Sequence, residues 1–183
     1  MNWKKLKLLR TAQRVTRMHT MPTRYQQSVG EHTFGVLSIV LTIHPNATPQ
    51  LLRATLYHDI PEAVTGDVPA TAKWRWPDME TALRGAEEWM RREFELSEEL
   101  PSLERKVLKF ADMMELLLFS LEEADAGDRK MVVIARNCIT ALRTRGLIDV
   151  TPAAYELFSF AQLYLEKHHS AIDGEEIFNV TQL

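Results

Sequence analysis

The chain has 183 residues, is 45% hydrophobic and 26% charged, and carries a formal net charge of −3. That is enough for one self-sufficient core, with no overall charge to draw it to nucleic acid or a membrane. Cys138 is the only cysteine, so no intrachain disulfide can form; no apolar run nears the roughly 20 residues of a membrane span, and the first residues lack the apolar block of a signal peptide, so we expect a soluble cytoplasmic protein forming a single domain over 1–183.

In chain order, the pattern predicts a basic amphipathic helix from Trp3 to about Met18, within residues 1–18, with Trp3, Leu6, Leu9 and Val15 as its apolar positions. Lys4, Lys5, Lys7, Arg10, Arg14, Arg17 and Arg24 all precede the first acid, Glu31. They read either as a solvated face or, near Arg17 and Arg24, as anion-holding cations. Residues 19–30 read as a loop. Val36, Ile39, Val40 and Ile43 recur at helical spacing from about Glu31 to Ile43, and Pro45 and Pro49 bracket a turn. Thr48 caps the next helix, from Pro49 to about Asp59. The stretch 60–77, with Pro61, Gly66, Pro69 and Pro77, reads as irregular. Asp78 reads as the N-cap of a helix to about Phe94, with Met79, Ala82, Ala86, Trp89 and Met90 on one side. A helix from Pro101 to about Glu123, one over 129–144, and one from Pro152 with Thr151 as its cap follow. The tail over 171–183 reads as loose. No alternating strand pattern survives, so the expected fold is all-α, a bundle of about seven helices.

The stretch LYHDIPEAVTGDVP, Leu56 to Pro69, raises the functional question. His58 and Asp59 are neighbours near a helix end. Adjacent helical residues point about 100° apart, so the two cannot share one apolar groove, but both can reach a metal in a cleft. His32 opens an apolar helix. Asp112 sits in the very apolar VLKFADMMELLLF, where a lone ionised carboxylate is costly to bury. A divalent cation held by His32, His58, Asp59 and Asp112 satisfies all four, and mixed imidazole and carboxylate ligands suit Zn²⁺, Mn²⁺, Fe²⁺ or Co²⁺. Singly, His32 reads as an ordinary hydrogen-bonded histidine, and Asp112 as part of an exposed polar stripe with Lys106, Lys109 and Glu115. His19, His44, His168 and His169 carry no such pattern.

GEH at 30–32, YHDIPEAVTGDVP at 57–69 and KFAD at 109–112 resemble the HD superfamily of metal-dependent phosphohydrolases. Within it they resemble the compact deoxynucleotide phosphohydrolases: bacterial 5′-deoxynucleotidases of the YfbR type and small phage dATP triphosphohydrolases of the DatZ type. The resemblance implies a helical HD domain and a divalent metal (Zn, Co or Mn), with a second ion such as Mg²⁺ on the phosphates. His32, His58, Asp59 and Asp112 are then the metal ligands and Glu62 the proton-transfer residue. Asp67 lies beside the phosphate ester and sugar. Arg17, Lys73, Arg24 and Arg75 are the phosphate-facing cations. Met18 replaces a tryptophan of the family's Arg-Trp pair, so it either covers the base or belongs to the core.

The expected activity is hydrolysis of a deoxynucleotide at the α-phosphorus. A dATP-like triphosphate giving deoxynucleoside and triphosphate leads, and 5′-deoxynucleotidase action on a monophosphate is the alternative. The resemblance also implies a homo-oligomer, and a place in the host cytoplasm for a phage-encoded member. A non-catalytic, metal-stapled nucleotide-binding module is a rival of another class, against which Glu62 counts. A nucleic-acid module built on the basic first helix is a second, against which the later acidic excess counts.

Overall fold

The longest helix organises the molecule. The computed structural model describes residues 2–170. Its helices are α1 (Trp3–Ala12), α2 (Val29–Ile43), α3 (Pro49–Tyr57), α4 (Glu62–Thr65), α5 (Ala70–Arg75), α6 (Pro77–Glu93), α7 (Ser102–Asp125), α8 (Arg129–Thr144) and α9 (Pro152–His169). Seven have nine residues or more, and α4 and α5 are short. At 24 residues α7 spans about 36 Å. Val107, Phe110, Ala111, Met114, Leu117, Leu121 and Ala124 recur along it at helical spacing and are buried. They meet Val36, Ile39, Val40 and Ile43 of α2, Leu51 of α3, Val132, Ala135, Ile139 and Leu142 of α8, and Ala154, Phe158, Ala161 and Leu165 of α9. A smaller cluster of Ala12, Ile60 and Leu96, with Leu8, Leu9, Tyr57 and Ala63 against it, seats α1 on the segment that carries His58 and Asp59. The all-α expectation holds; among the described residues the one strand-like feature is an isolated antiparallel bridge, Thr16 to Ser28.

That bridge accounts for the largest change to the sequence reading. The first helix ends at Ala12, not Met18, because residues 15–17 turn back to pair with 27–29: Val29 N–H donates to the Val15 carbonyl at 2.8 Å and Arg17 N–H to the Gln27 carbonyl at 2.8 Å. Gly30 permits the close return, since a Cβ there would stand 3.0 Å from the Gln13 carbonyl oxygen. Helix α2 starts at Val29, earlier than expected, because Ser28 and Glu31 form a reciprocal capping box.

Thr48 and Thr151 cap α3 and α9 as read from sequence. The stretch 60–77 is not wholly irregular: Pro61 and Pro69 stand immediately before α4 and α5, where a missing N–H costs nothing. Asp78 is not the N-cap of α6, which starts at Pro77 behind Trp76. The apolar side expected of α6 is largely unburied; Met90 is buried, while Met79 and Trp89 are exposed. The tail expected to be loose lies outside the described residues. Among those residues no helix is long and apolar enough to cross a membrane.

Candidate active site

Four backbone decisions converge on one point. The capping box of α2 places His32 in the first turn, with its side chain fully buried. The end of α3 leaves His58 and Asp59 in the turn just beyond Tyr57. Helix α4 restarts at Glu62, whose N–H donates to the Asp59 carbonyl at 3.1 Å. The apolar spacing of α7 turns Asp112 toward α2 and α3. His32 Nε2 stands 3.2 Å from His58 Nε2, 3.4 Å from Asp59 Oδ2 and 3.3 Å from Asp112 Oδ1. His58 Nε2 lies 3.3 Å from Asp59 Oδ2 and 4.0 Å from Asp112 Oδ1.

The donor chemistry fits a cation. His32 Nδ1 pairs with Glu115 Oε2 and His58 Nδ1 donates to the Thr55 carbonyl at 2.6 Å. Both Nε2 atoms are thereby left as acceptors aimed at each other, an arrangement that needs a positive centre between them. Ligands about 2.0–2.2 Å from a tetrahedral metal stand roughly 3.3–3.6 Å apart, close to most of the separations here. His32, His58 and Asp59 form a group able to hold a metal ion, their ligand atoms within 4.8 Å of one another, and Asp112 Oδ1 stands beside it, 3.3 Å from His32 Nε2. Without the cation, a proton serves: burial disfavours the His32 imidazolium, but hydrogen bonds to Asp112 and Glu115 outweigh it and push its pKa up to about 9. Asp112 is opposed by burial, yet the His32 hydrogen bond and the Lys109 and His58 charges hold it well below the usual carboxylate range. Its second oxygen accepts from Lys109 Nζ at 2.9 Å.

Beside this cluster lies a cleft of about 440 Å³, lined by His58, Asp59, Glu62, Asp112 and the cations Lys73, Arg91, Arg105 and Lys109, among others. Glu62 Oε2 is buried without a hydrogen-bond partner. Burial first, then the charge of Asp59, pushes its pKa up to about 8 against the pull of Arg17, which favours the protonated carboxyl in the metal-free protein. Arg17 Nη1 donates to Asp59 Oδ2 at 2.7 Å, and its Nε is buried and unpartnered. Asp67 accepts the Met18 N–H at 2.5 Å. That contact pins half-buried Met18 in the left-handed region, φ 51°, rare for a residue with a side chain.

The structure thus gathers His32, His58, Asp59, Asp112, Glu62, Asp67, Arg17, Met18 and Lys73 beside the middle of α7. Two expected cations are corrected. Arg24 is carried away: its backbone N–H and that of Tyr25 are held by Glu123 at 2.6 and 2.8 Å, about three turns or roughly 16 Å along α7 from Asp112, and its guanidinium faces Gly127. Arg75 is exposed over the Trp76 ring at 5.8 Å and does not line the cleft. Sequence reading missed Arg91 and Arg105, which do line it. It also took Glu115 for part of an exposed stripe, although the spacing from Asp112 to Glu115 puts both on one helix face.

An all-helical bundle that brings an HD pair, an upstream histidine and a downstream aspartate to one point, with a half-buried glutamate beside them in a cleft lined by both carboxylates and cations, is the arrangement of the HD-domain phosphohydrolases. Within that class the chain belongs to the YfbR-like 5′-deoxynucleotidase family, whose model matches residues 4–157; it is an enzyme, a metal-dependent phosphohydrolase of deoxynucleotides. Solved structures share its fold. The PH0347 protein of Pyrococcus horikoshii has a TM-score of 0.68 at 19% identity, covering 88% of this chain and 98% of its own. The cyanophage S-2L HD phosphohydrolase DatZ, solved with dA and one catalytic Zn²⁺ ion, has a TM-score of 0.63 at 21% identity, covering 91% and 97%. An HD-domain phosphohydrolase of Listeria innocua has a TM-score of 0.67 at 23% identity, covering 90% and 92%. No curated protein matches the chain at a comparable level of significance.

Proposed function

We propose that the enzyme acts at the α-phosphorus of a 2′-deoxynucleoside triphosphate of the dATP type, giving deoxynucleoside and intact triphosphate. The observation that carries this reading is the set of four cations, Lys73, Arg91, Arg105 and Lys109, lining the cleft beside His58, Asp59 and Asp112. Arg91 is held on the His58 carbonyl and beside Glu87, and Arg105 on the Leu100 carbonyl; β- and γ-phosphates would give their remaining N–H groups a charge to meet that a monophosphate lacks. The dA bound to the DatZ relative supports adenine as the first base to test.

His32, His58, Asp59 and Asp112 would hold the divalent metal. Zinc is the first candidate because the DatZ relative holds one catalytic Zn²⁺; Co²⁺ or Mn²⁺ suits the same donors, and a second ion such as Mg²⁺ would accompany the phosphates. The bound cation supplies Lewis acidity toward a phosphoryl oxygen and activates water near neutral pH. The protein supplies the rest. Arg17, anchored on Asp59, offers its unpartnered Nε to a non-bridging oxygen. Glu62 delivers its proton to O5′ as the P–O5′ bond breaks, while water contributes the new P–O bond and returns a proton to the site. Lys73 balances charge beside Glu62. Asp67 fixes Met18, whose thioether covers the base.

A second reading, 5′-deoxynucleotidase action on a monophosphate, is favoured by the family's own description. Incubation with dNTP and dNMP panels under Zn²⁺, Co²⁺ or Mn²⁺, with and without Mg²⁺, separates the two by ³¹P NMR. Intact triphosphate from dATP supports the lead reading; phosphate from dAMP with dATP untouched replaces it. The same reading includes a homo-oligomer, supported by exposed Phe34 and Leu41 on α2 and Phe160 and Leu163 on α9, and light scattering tests it.

A further inference from the structure

Glu115 is buried, yet no step of hydrolysis uses it. It lies three residues after Asp112 on the face of α7 that meets α2. A buried carboxylate needs partners, and both of its oxygens have one. Oε2 pairs with His32 Nδ1, and Oε1 accepts from Gln27 Nε2 at 2.6 Å. Gln27 is itself buried, just ahead of the Ser28 cap that sets the start of α2. The room for Glu115 comes from Gly35, three residues after His32. A Cβ at that position would stand 2.8 Å from Glu115 Cγ, closer than real contacts allow. Three positions, Gln27 just ahead of α2 and His32 and Gly35 on it, are thus fitted to one carboxylate.

We propose that Glu115 is a positioning residue for the metal site. It fixes the His32 tautomer so that Nε2 faces the point shared with His58, Asp59 and Asp112, and it adds one negative charge behind that ligand. Gln27 and Gly35 hold it in place. The inference rests on the metal-site reading above and deepens it: the protein grips its metal with four ligands and one carboxylate outside them, and this fifth group sets affinity. Carboxylates paired with a ligating histidine raise its basicity and lock its orientation.

The test is zinc affinity by chelator competition, with hydrolysis measured separately. Glu115→Gln keeps shape and hydrogen bonding: the new amide oxygen still accepts from His32, and Gln27 can turn so that its unpartnered Oε1 accepts from the new amide nitrogen. Only the charge is lost. Zinc affinity should fall about 10–100-fold, with the far-UV circular dichroism of the metal-free protein retained. Gly35→Ala leaves the charge but displaces the carboxylate, and should also weaken zinc binding. The double variant should lose less than the sum of the two losses, because both act through one contact. In the wild type the His32 Nδ1 proton should resonate far downfield in the NMR spectrum and move upfield in Glu115→Gln. Wild-type zinc affinity in Glu115→Gln, or a loss confined to Gly35→Ala, overturns the inference while leaving the four-ligand site intact. A wild type that binds no zinc, cobalt or manganese overturns the metal-site reading itself.

Discussion

Replacing Glu62 with glutamine separates chemistry from stability at one atom. The carboxyl is pushed from an ordinary 4.5 up to about 8 by burial and by Asp59. A folded-state pKa above the unfolded one means the native state binds the extra proton between about pH 4.5 and 8, so the group costs no stability below that window. Across it the cost grows as pH rises, and above it the cost is constant. Each unit is worth about 1.4 kcal/mol, so the full shift sets a ceiling of roughly 5 kcal/mol. The cleft is open to water and Arg17 and Lys73 face the same group, so we expect about 1–3 kcal/mol. Metal-free Glu62→Gln protein should therefore gain stability over wild type by that amount between pH 5 and pH 8.5 in urea melts, whatever fixed cost the amide brings. In the metal-loaded enzyme the same variant should keep its metal and lose about 10²–10⁴ in kcat, the scale of a positioned acid. Parallel stability curves across the window, or loss of metal with the proton donor, would refute the reasoning.

Other expectations follow from the same geometry. Asp112→Ala removes the ligand contributed by α7 and should abolish metal retention and turnover together, read by elemental analysis and product formation. Arg105→Ala should lower kcat/KM for dATP about tenfold or more, the value of a charge-assisted hydrogen bond, and change dAMP turnover little; Arg91→Ala, which removes a guanidinium that also holds the His58 carbonyl at 2.6 Å, and Arg17→Ala and Lys73→Ala, next to the α-phosphorus, should damage both substrates, and equal losses on both substrates at Arg105 would remove the case for a triphosphate. Metal must displace the His32 proton, whose pKa is up to about 9; apparent affinity should then rise about tenfold per pH unit below that value, with one proton released per metal in calorimetry across buffers of different ionisation heat.

The elements that sequence made legible are those whose packing is repetitive. Helices α2, α3, α7, α8 and α9 each bury a regular apolar stripe on or near α7, and a stripe of that kind is written in spacing alone. Thr48 with Pro49 and Thr151 with Pro152 mark starts by local chemistry. His32, His58, Asp59 and Asp112, which the structure brings together, could be singled out because a metal would demand particular residue types at particular turns. The misses depend on contacts between distant segments. Nothing near Met18 says that residues 15–17 return to pair with 27–29. Arg24 sits close in sequence to Arg17, but Glu123 draws the loop to the far part of α7. Glu115 read as solvent-facing because its partners, His32 and Gln27, lie some 80 residues earlier. Arg91 and Arg105 carry no local signal; the fold alone turns them into the cleft. The Ser28–Glu31 capping box was the one local signal that could have been found in advance.

A metal-soaked crystal tests the central claim most directly, with anomalous diffraction recorded at the absorption edge of zinc. The account predicts one strong anomalous peak bonded to the Nε2 atoms of His32 and His58 and to the carboxylates of Asp59 and Asp112, with Glu62 outside bonding distance. A peak ligated by Glu62 or by another set of side chains, or an active enzyme with no peak at this point, would contradict it.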